Sequence, residues 1–361
     1  MMKGERGFTI IELLVVVLIF GFVLAATSDM FVGILRGYKQ QSKIAETNIE
    51  GIIGLEMLRR DIEHAGYGLP WMMSGASYLE ATDANALVYN DSSSNPPRAI
   101  LSLPDANNRA YLVIKAINVA RNDTCTKWNH LPSSGLPTPW TSTNPASENL
   151  NPTDRVIVIS PGTPVTNSRA LVVSGSGNFF TQYDSLSGFL SPDETRVIYG
   201  VDPPDGTHPL RMPFNRADYY VSTSSPPGRC ASGTGVLYKA IVSQIDGSFT
   251  PTNTNILPLL DCVADMQVVF SLDRDSNGTL SSTTVLTDPA GNALNAQQIR
   301  DQVKEVSVYI LAQEGQRDTG YTHNSNSILV GPSAFNLTTI PNWQNYRWKV
   351  YTLVVKPNNL R

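Results

Sequence analysis

The chain is short of charge. Lys, Arg, Asp and Glu make up 16% of its 361 residues, against about 25% in an average soluble domain. The net charge is −4, and no run of five Lys/Arg occurs. A dedicated nucleic-acid binder needs a concentrated basic surface, so that class is not expected. Cysteine is scarce as well. Cys125, Cys230 and Cys262 are far apart and form no C-x-x-C pair, which excludes a zinc ribbon or a thioredoxin-type site. No G-x-S-x-G, H-E-x-x-H, P-loop or G-x-G-x-x-G run is present, and His64, His130, His208 and His323 stand in unrelated contexts. No catalytic constellation is legible, so an enzyme is not expected and no cofactor is implied. Long apolar runs are absent except for one. The remainder, rich in Ser, Thr, Asn and Pro, reads as a β-rich, loop-rich body.

The one apolar run lies near the N-terminus. Residues 1–7 are short, polar and net basic, with Lys3 and Arg6 against Glu5. Phe8 to Ala26 then gives 19 residues interrupted only by Thr9, Glu12 and Gly21. That length crosses a hydrocarbon core of ~30 Å as a helix. The basic flank places the N-terminus on the cytoplasmic side, so the residues after about 30 are expected to be exported. A cleaved secretory signal is the alternative, with Ala25-Ala26-Thr27-Ser28 as a cleavage site. Glu12 argues against it. A carboxylate inside such a span costs about 2.5–3.5 kcal/mol on the translocon scale and marks a function with a nameable partner.

The helical pattern outlasts the membrane span. No Pro occurs between Asp29 and Ala65, and Phe31, Ile34, Leu35, Tyr38, Ile49, Ile52, Ile53, Leu55, Leu58, Ile62 and Ala65 recur at helical spacing. Gly33, Gly37, Gly51 and Gly54 each weaken the helix by about 1 kcal/mol relative to Ala. Gly66, Gly68 and Pro70 end it. A helix from Phe8 to Ala65 would be about 87 Å long. Its first half would face lipid or partners, and its second half would pack on a globular body.

Gly7-Phe8-Thr9-Ile10-Ile11-Glu12 resembles the class III signal of type IV prepilins and type II secretion pseudopilins. The resemblance implies cleavage after Gly7 by a membrane aspartyl peptidase and N-methylation of Phe8. It places Glu12 at the fifth mature position, where its carboxylate can pair with the Phe8 amine of a neighbouring subunit and set axial register. Leu58 to Gly68 (LRRDIEHAGYG) resembles the helix-end signature of PilW-like minor pilins, whose counterpart is the J pseudopilin of type II secretion. Leu259 to Gly278, QVKEVSVYILAQ and the closing YRWKVYTLVVKPNNLR resemble the same family. Residues 90–250 carry no such likeness. The J pseudopilins are usually much shorter, which favours a pilus subunit.

The body after residue 69 reads as short strands bounded by turn residues. Candidates are Ala86–Tyr89, Ala110–Ile114, Arg155–Ile159, Ala170–Val173, Arg196–Tyr199, Ala217–Val221, Gly235–Ala240, Met266–Leu272, Glu305–Ala312 and Trp348–Val355. Cys125 to Asn151 and Ser222 to Ser232 read as loops. Trp128 and Trp140 in the first of these form either a partner surface or a small satellite core. In an oxidising compartment disulfides persist. Cys230 with Cys262 would bridge adjacent β segments, and Cys125 with Cys230 is equally permitted. Asp273, Asp275 and Asn277 before Gly278 open like a calcium loop. Thr284 stands where a bidentate Glu would be needed, so an EF-hand is excluded. A calcium site completed by distant residues and a plain turn both remain open.

The resulting expectation is an α+β, pilin-like lollipop. It has a leader at 1–7, a transmembrane and assembly half-helix at 8–30, an amphipathic half-helix at 31–66 and a periplasmic β-rich domain at 67–361. The family likeness implies a minor prepilin that initiates or caps a type IV pilus. Its partners would be the prepilin peptidase, the inner membrane before assembly, and other minor pilins and the major pilin through the helix. A J-like pseudopilin and a tip adhesin or DNA-uptake subunit are the alternatives.

Overall fold

The computed structural model describes residues 9–140, 148–162, 169–202, 208–249 and 256–360. Helix α1 (Ile10–Glu63) is 54 residues long. It starts where Thr9 caps it and ends at His64, whose backbone N–H returns to the helix carbonyls. Gly66 and Gly68 then adopt φ of +86° and +70°, a left-handed turn that glycine enters at least cost.

Among the described residues fifteen strands follow: β1 (Ile100–Pro104), β2 (Ala110–Ala116), β3 (Trp128–Leu131), β4 (Arg155–Ser160), β5 (Ala170–Leu171), β6 (Phe180–Gln182), β7 (Arg196–Gly200), β8 (Asn215–Ser222), β9 (Gly235–Ile241), β10 (Ile256–Leu272), β11 (Ser281–Thr283), β12 (Val303–Glu314), β13 (Ser327–Val330), β14 (Ser333–Asn336) and β15 (Arg347–Val355). A second helix, α2 (Ala296–Gln302), precedes β12. The main antiparallel sheet runs β1-β2-β8-β9-β10-β12-β15, with β11 added to β10. A smaller sheet, β3-β7-β4-β5 with β6 on β4, is built from the middle of the chain. Strands β13 and β14 form a separate hairpin. The architecture is the α+β lollipop anticipated above.

The helix packs on the main sheet through an unanticipated face. Leu55, Leu58, Ile62 and Ala65 are buried in the principal core, but Ile49, Ile52 and Ile53 are at least 60% exposed. The two glycines explain this. A Cβ on Gly54 would lie 2.1 Å from the Leu259 carbonyl oxygen, and one on Gly51 would lie 3.3 Å from the Leu260 side chain. The helix turns its glycines to β10, the backbones approach closely, and the isoleucines are left outside. Gly54→Ala should therefore destabilise the protein. Overpacking against backbone costs about 1–3 kcal/mol, offset by about 1 kcal/mol of helix propensity. Gly33, with no atom within 4 Å of its would-be Cβ, is the matched control, and Gly33→Ala should raise stability. Thermal unfolding of both variants in detergent checks this. Equal melting shifts would refute the close-approach argument.

A polar contact fixes the helix orientation. Asp61 of α1 is buried, and its Oδ2 accepts from both the Tyr219 hydroxyl on β8 and the Lys239 ammonium on β9. On the opposite face of β2 and β8 lies a buried ionic cluster. Lys115 Nζ contacts Glu80 Oε1 at 2.6 Å and Asp91 Oδ2 at 2.7 Å. Arg216 forks onto Asp218 at 2.7 and 2.8 Å and reaches Glu80 Oε2 at 2.7 Å. Arg98 closes the cluster on Asp91 at 2.5 Å. Three cations thus meet three carboxylates, which is the condition under which buried charge is tolerable.

Several sequence expectations are corrected. Ala86–Tyr89 is not a strand. Asp83 accepts the Asn85 N–H on its side chain and the Ala86 and Leu87 N–H groups on its carbonyl, which winds the segment into a 3-10 turn over Leu87–Tyr89. Strand β10 begins at Ile256, well before the expected Met266, and is 17 residues long. The supposed loop from Cys125 contains β3. Helix α2 escaped the reading although its capping box, Asn295 with Gln298, is a sequence-level start signal.

Asp202, just beyond β7, is partly buried, and burial pushes its carboxyl up to about 6. The folded state therefore holds this proton more tightly than the unfolded chain, whose value is 3.8. Stability from this group is full below pH 4 and lost as pH rises through about 6. The loss is about 2–3 kcal/mol at neutral pH. Asp202→Asn should be more stable than the parent at pH 7 and converge with it near pH 4. Urea unfolding of the two proteins across that range measures it, and parallel profiles would sink it.

Candidate functional site

The helix start is the candidate site. Thr9 Oγ1 accepts the Glu12 N–H at 3.4 Å, while Glu12 Oε2 accepts from the Thr9 N–H and hydroxyl, both at 2.9 Å. This capping box satisfies donors that a helix start otherwise leaves unpaired. It also holds the Glu12 carboxylate at the first turn, beside the point where the chain enters the helix. Gly7 and Phe8 lie outside the described residues.

Beyond Glu12 the helix is clothed in apolar side chains that none of the described residues covers. Each large apolar residue from Ile10 to Leu24 is more than half exposed. Phe31, Ile34, Leu35 and Tyr38 extend the exposed surface toward Ile49, Ile52 and Ile53. The helix is long and apolar enough to cross a membrane. The span therefore presents an uncovered apolar cylinder with a single carboxylate at its start. Lipid can cover it, and so can other helices of the same kind.

Residues 2–28 match the model of the prokaryotic N-terminal methylation motif. The match supports a type IV pilin-like prepilin. No curated protein and no solved structure matches the chain. For such a prepilin the motif and the apolar helix fit membrane anchoring. They point to a structural subunit.

Other residues singled out from the sequence fall elsewhere in the chain. Cys230 and Cys262 form a disulfide at an irregular point of β10, where Cys262 has φ +57°. Cys125 is a buried free thiol, and burial pushes it far above the usual thiol value. A thiol is the unreactive form, so the unpaired cysteine is protected in an oxidising setting. Asp273 accepts the Asn277 and Gly278 N–H groups at 3.1 and 3.2 Å, and Asp275 accepts the Asn277 amide at 2.7 Å. These oxygens close the turn on itself. Among the described residues no group of three or more His, Cys, Asp or Glu side chains could hold a metal. Trp128 and Trp140 pack edge to face at 5.3 Å, and the Trp140 indole N–H donates to the Trp128 carbonyl at 3.0 Å. His64 Nδ1 lies 2.8 Å from the Arg60 carbonyl, a helix-exit contact.

The sequence reading missed Asp61 as the residue that ties the helix to the domain. The signal was present: an acidic residue on the apolar face of an amphipathic helix, between Leu58 and Ile62, requires a buried partner.

Proposed function

We propose that the chain is a minor pilin of the PilW type. It is cut between Gly7 and Phe8, methylated on Phe8, and assembled through α1 with other minor pilins and the major pilin to initiate or cap a type IV pilus. The observation that carries this reading is the uncovered apolar span at the start of α1, up to Ala26, with Glu12 as its one carboxylate, inside an N-terminal methylation motif. Burial of that surface in a helical bundle is worth about 25 cal/mol per Å² of apolar area removed from water for the parts outside lipid. Glu12 supplies the register. In low dielectric a carboxylate and a neighbouring subunit's Phe8 amine are each costly alone, and their pairing offsets much of that cost. The Leu58 to Gly68 helix-exit segment supports the PilW-like reading, and the long domain supports a pilus subunit over a secretion pseudopilin.

The test is mass analysis of the protein from its native membrane and from sheared filaments. The expected mature chain begins at N-methyl-Phe8 and occurs at low abundance with the filaments. A chain beginning near Thr27, or uncut at Met1, would overturn the reading.

A further inference from the structure

We propose that a cleft between the segment after α1 and helix α2 is a binding site for a small phosphate-bearing ligand. The cleft has a volume of about 470 Å³, and Trp71, Ser92, Asn95, Arg98, Asn295 and Arg300 line it. This is within the range of ordinary small-molecule pockets.

Hydrogen-bonding capacity in the cleft is unbalanced. The Arg300 guanidinium lies over the Trp71 ring at 4.6 Å, and the Arg169 guanidinium lies over the same ring at 5.8 Å. Among the described residues neither arginine forms an ion pair, and neither the Arg300 guanidinium nor the Trp71 indole N–H has a hydrogen-bond partner. Among the described residues the Arg169 side chain donates only to the Tyr199 hydroxyl, at 3.4 Å. Burial outweighs the opposing pull of the Asp301 carboxylate and, with Arg169 close by, holds Arg300 below the usual guanidinium value.

The one carboxylate in the lining is already engaged, and so are two of the side-chain amide oxygens; the side-chain oxygens of Ser92, Asn95 and Gln297 are neutral. Asp91 Oδ1 is taken by Arg98 Nε, and its Oδ2 is taken by Lys115 Nζ and the Arg98 N–H. The Asn90 side-chain oxygen accepts from Arg216 at 2.6 Å, and the Asn295 side-chain oxygen accepts the Gln298 N–H at 2.9 Å. The cleft therefore holds unengaged charged donors and no unengaged carboxylate in its lining, and it is positive. A ligand that completes it must bring acceptors and negative charge. A guanidinium fork fits a phosphate oxygen pair, and its stacking on Trp71 fixes the plane of that fork. The limited size of the cleft favours a soluble phosphomonoester over a polymer backbone, which needs an extended groove.

The experiment titrates full-length protein in detergent with inorganic phosphate and with glycerol phosphate at constant ionic strength. Binding is followed by tryptophan fluorescence and by calorimetry. The expected result is saturable binding of both. It should weaken at least tenfold in Arg300→Gln, and the fluorescence change should be largely lost in Trp71→Phe. Phosphate should also raise the melting temperature of the parent and not that of Arg300→Gln, a comparison that holds even if the variant is less stable. Absence of saturable binding, or equal binding by parent and Arg300→Gln, would overturn the site. Binding confined to phosphatidylglycerol vesicles or to a single-stranded oligonucleotide, with no response to either small phosphate, would overturn the soluble-ligand assignment.

Discussion

Arg216→Met should destabilise the protein by about 3–5 kcal/mol, the range for breaking a buried pair by removing one partner. Arg216 has no exposed surface. It neutralises Asp218 and Glu80 and also donates to the Asn90 side chain and the Ala86 carbonyl, at 2.6 and 3.0 Å. Methionine fills much of the volume but leaves the Asp218 carboxylate, among the described residues, with only the Tyr111 hydroxyl, at 2.8 Å. The turn over Leu87–Tyr89 loses its anchor at the same time. Urea unfolding of the detergent-solubilised protein measures the effect. A loss under about 1 kcal/mol would mean that water or rearrangement compensates, and the cluster could not then be holding segment 78–98 on the sheet.

Glu12→Ala should leave membrane insertion intact and abolish most incorporation into filaments. Insertion is expected to be easier, because a carboxylate in the span costs about 2.5–3.5 kcal/mol on the translocon scale. Alanine also removes the capping box with Thr9, typically worth about 1 kcal/mol of helix stability. Glu12→Gln separates the two roles. Glutamine can still accept the Thr9 hydrogen bonds but carries no charge to pair with an amine. If charge pairing sets register, both variants should fall at least tenfold in the sheared filament fraction at unchanged levels in the membrane fraction. Recovery of Glu12→Gln to parental levels would assign the role of Glu12 to helix capping.

Legibility differed by element. The strands with clean alternation were readable: Val306, Val308 and Ile310 occupy one fully buried face of β12, as period-2 patterning requires. The 3-10 turn at Leu87–Tyr89 was not, because four apolar residues carry no period, and the winding is imposed by Asp83 upstream. The N-terminal half of β10 was hidden by its irregularities. Its pairing with β9 shifts register between Pro258 and Leu260 and again between Leu260 and Val263, so alternation is broken where the strand is longest. The cleft around Trp71 was invisible for another reason: Trp71, Arg98 and Arg300 are brought together from three separate stretches of the chain.

The sequence by itself determined the class of this protein and its candidate processing and assembly site. A basic leader, one apolar span and one carboxylate within it are local features, and local features survive without a fold. It also determined that a long helix would precede a β-rich domain, since periodicity and turn residues act over a few positions. Only the tertiary structure decided which face of α1 meets the sheet. Hydrophobic periodicity predicts that Ile49, Ile52 and Ile53 are buried, but close approach of two backbones at Gly54 and the buried contact of Asp61 with Tyr219 and Lys239 outweigh it. Tertiary structure also placed Cys262 with Cys230 rather than Cys125, and it gathered the charges of Glu80, Asp91, Arg98, Lys115, Arg216 and Asp218. The reason is common to all three. Burial and charge neutralisation depend on residues far apart in the chain, and no local pattern records which of them will meet.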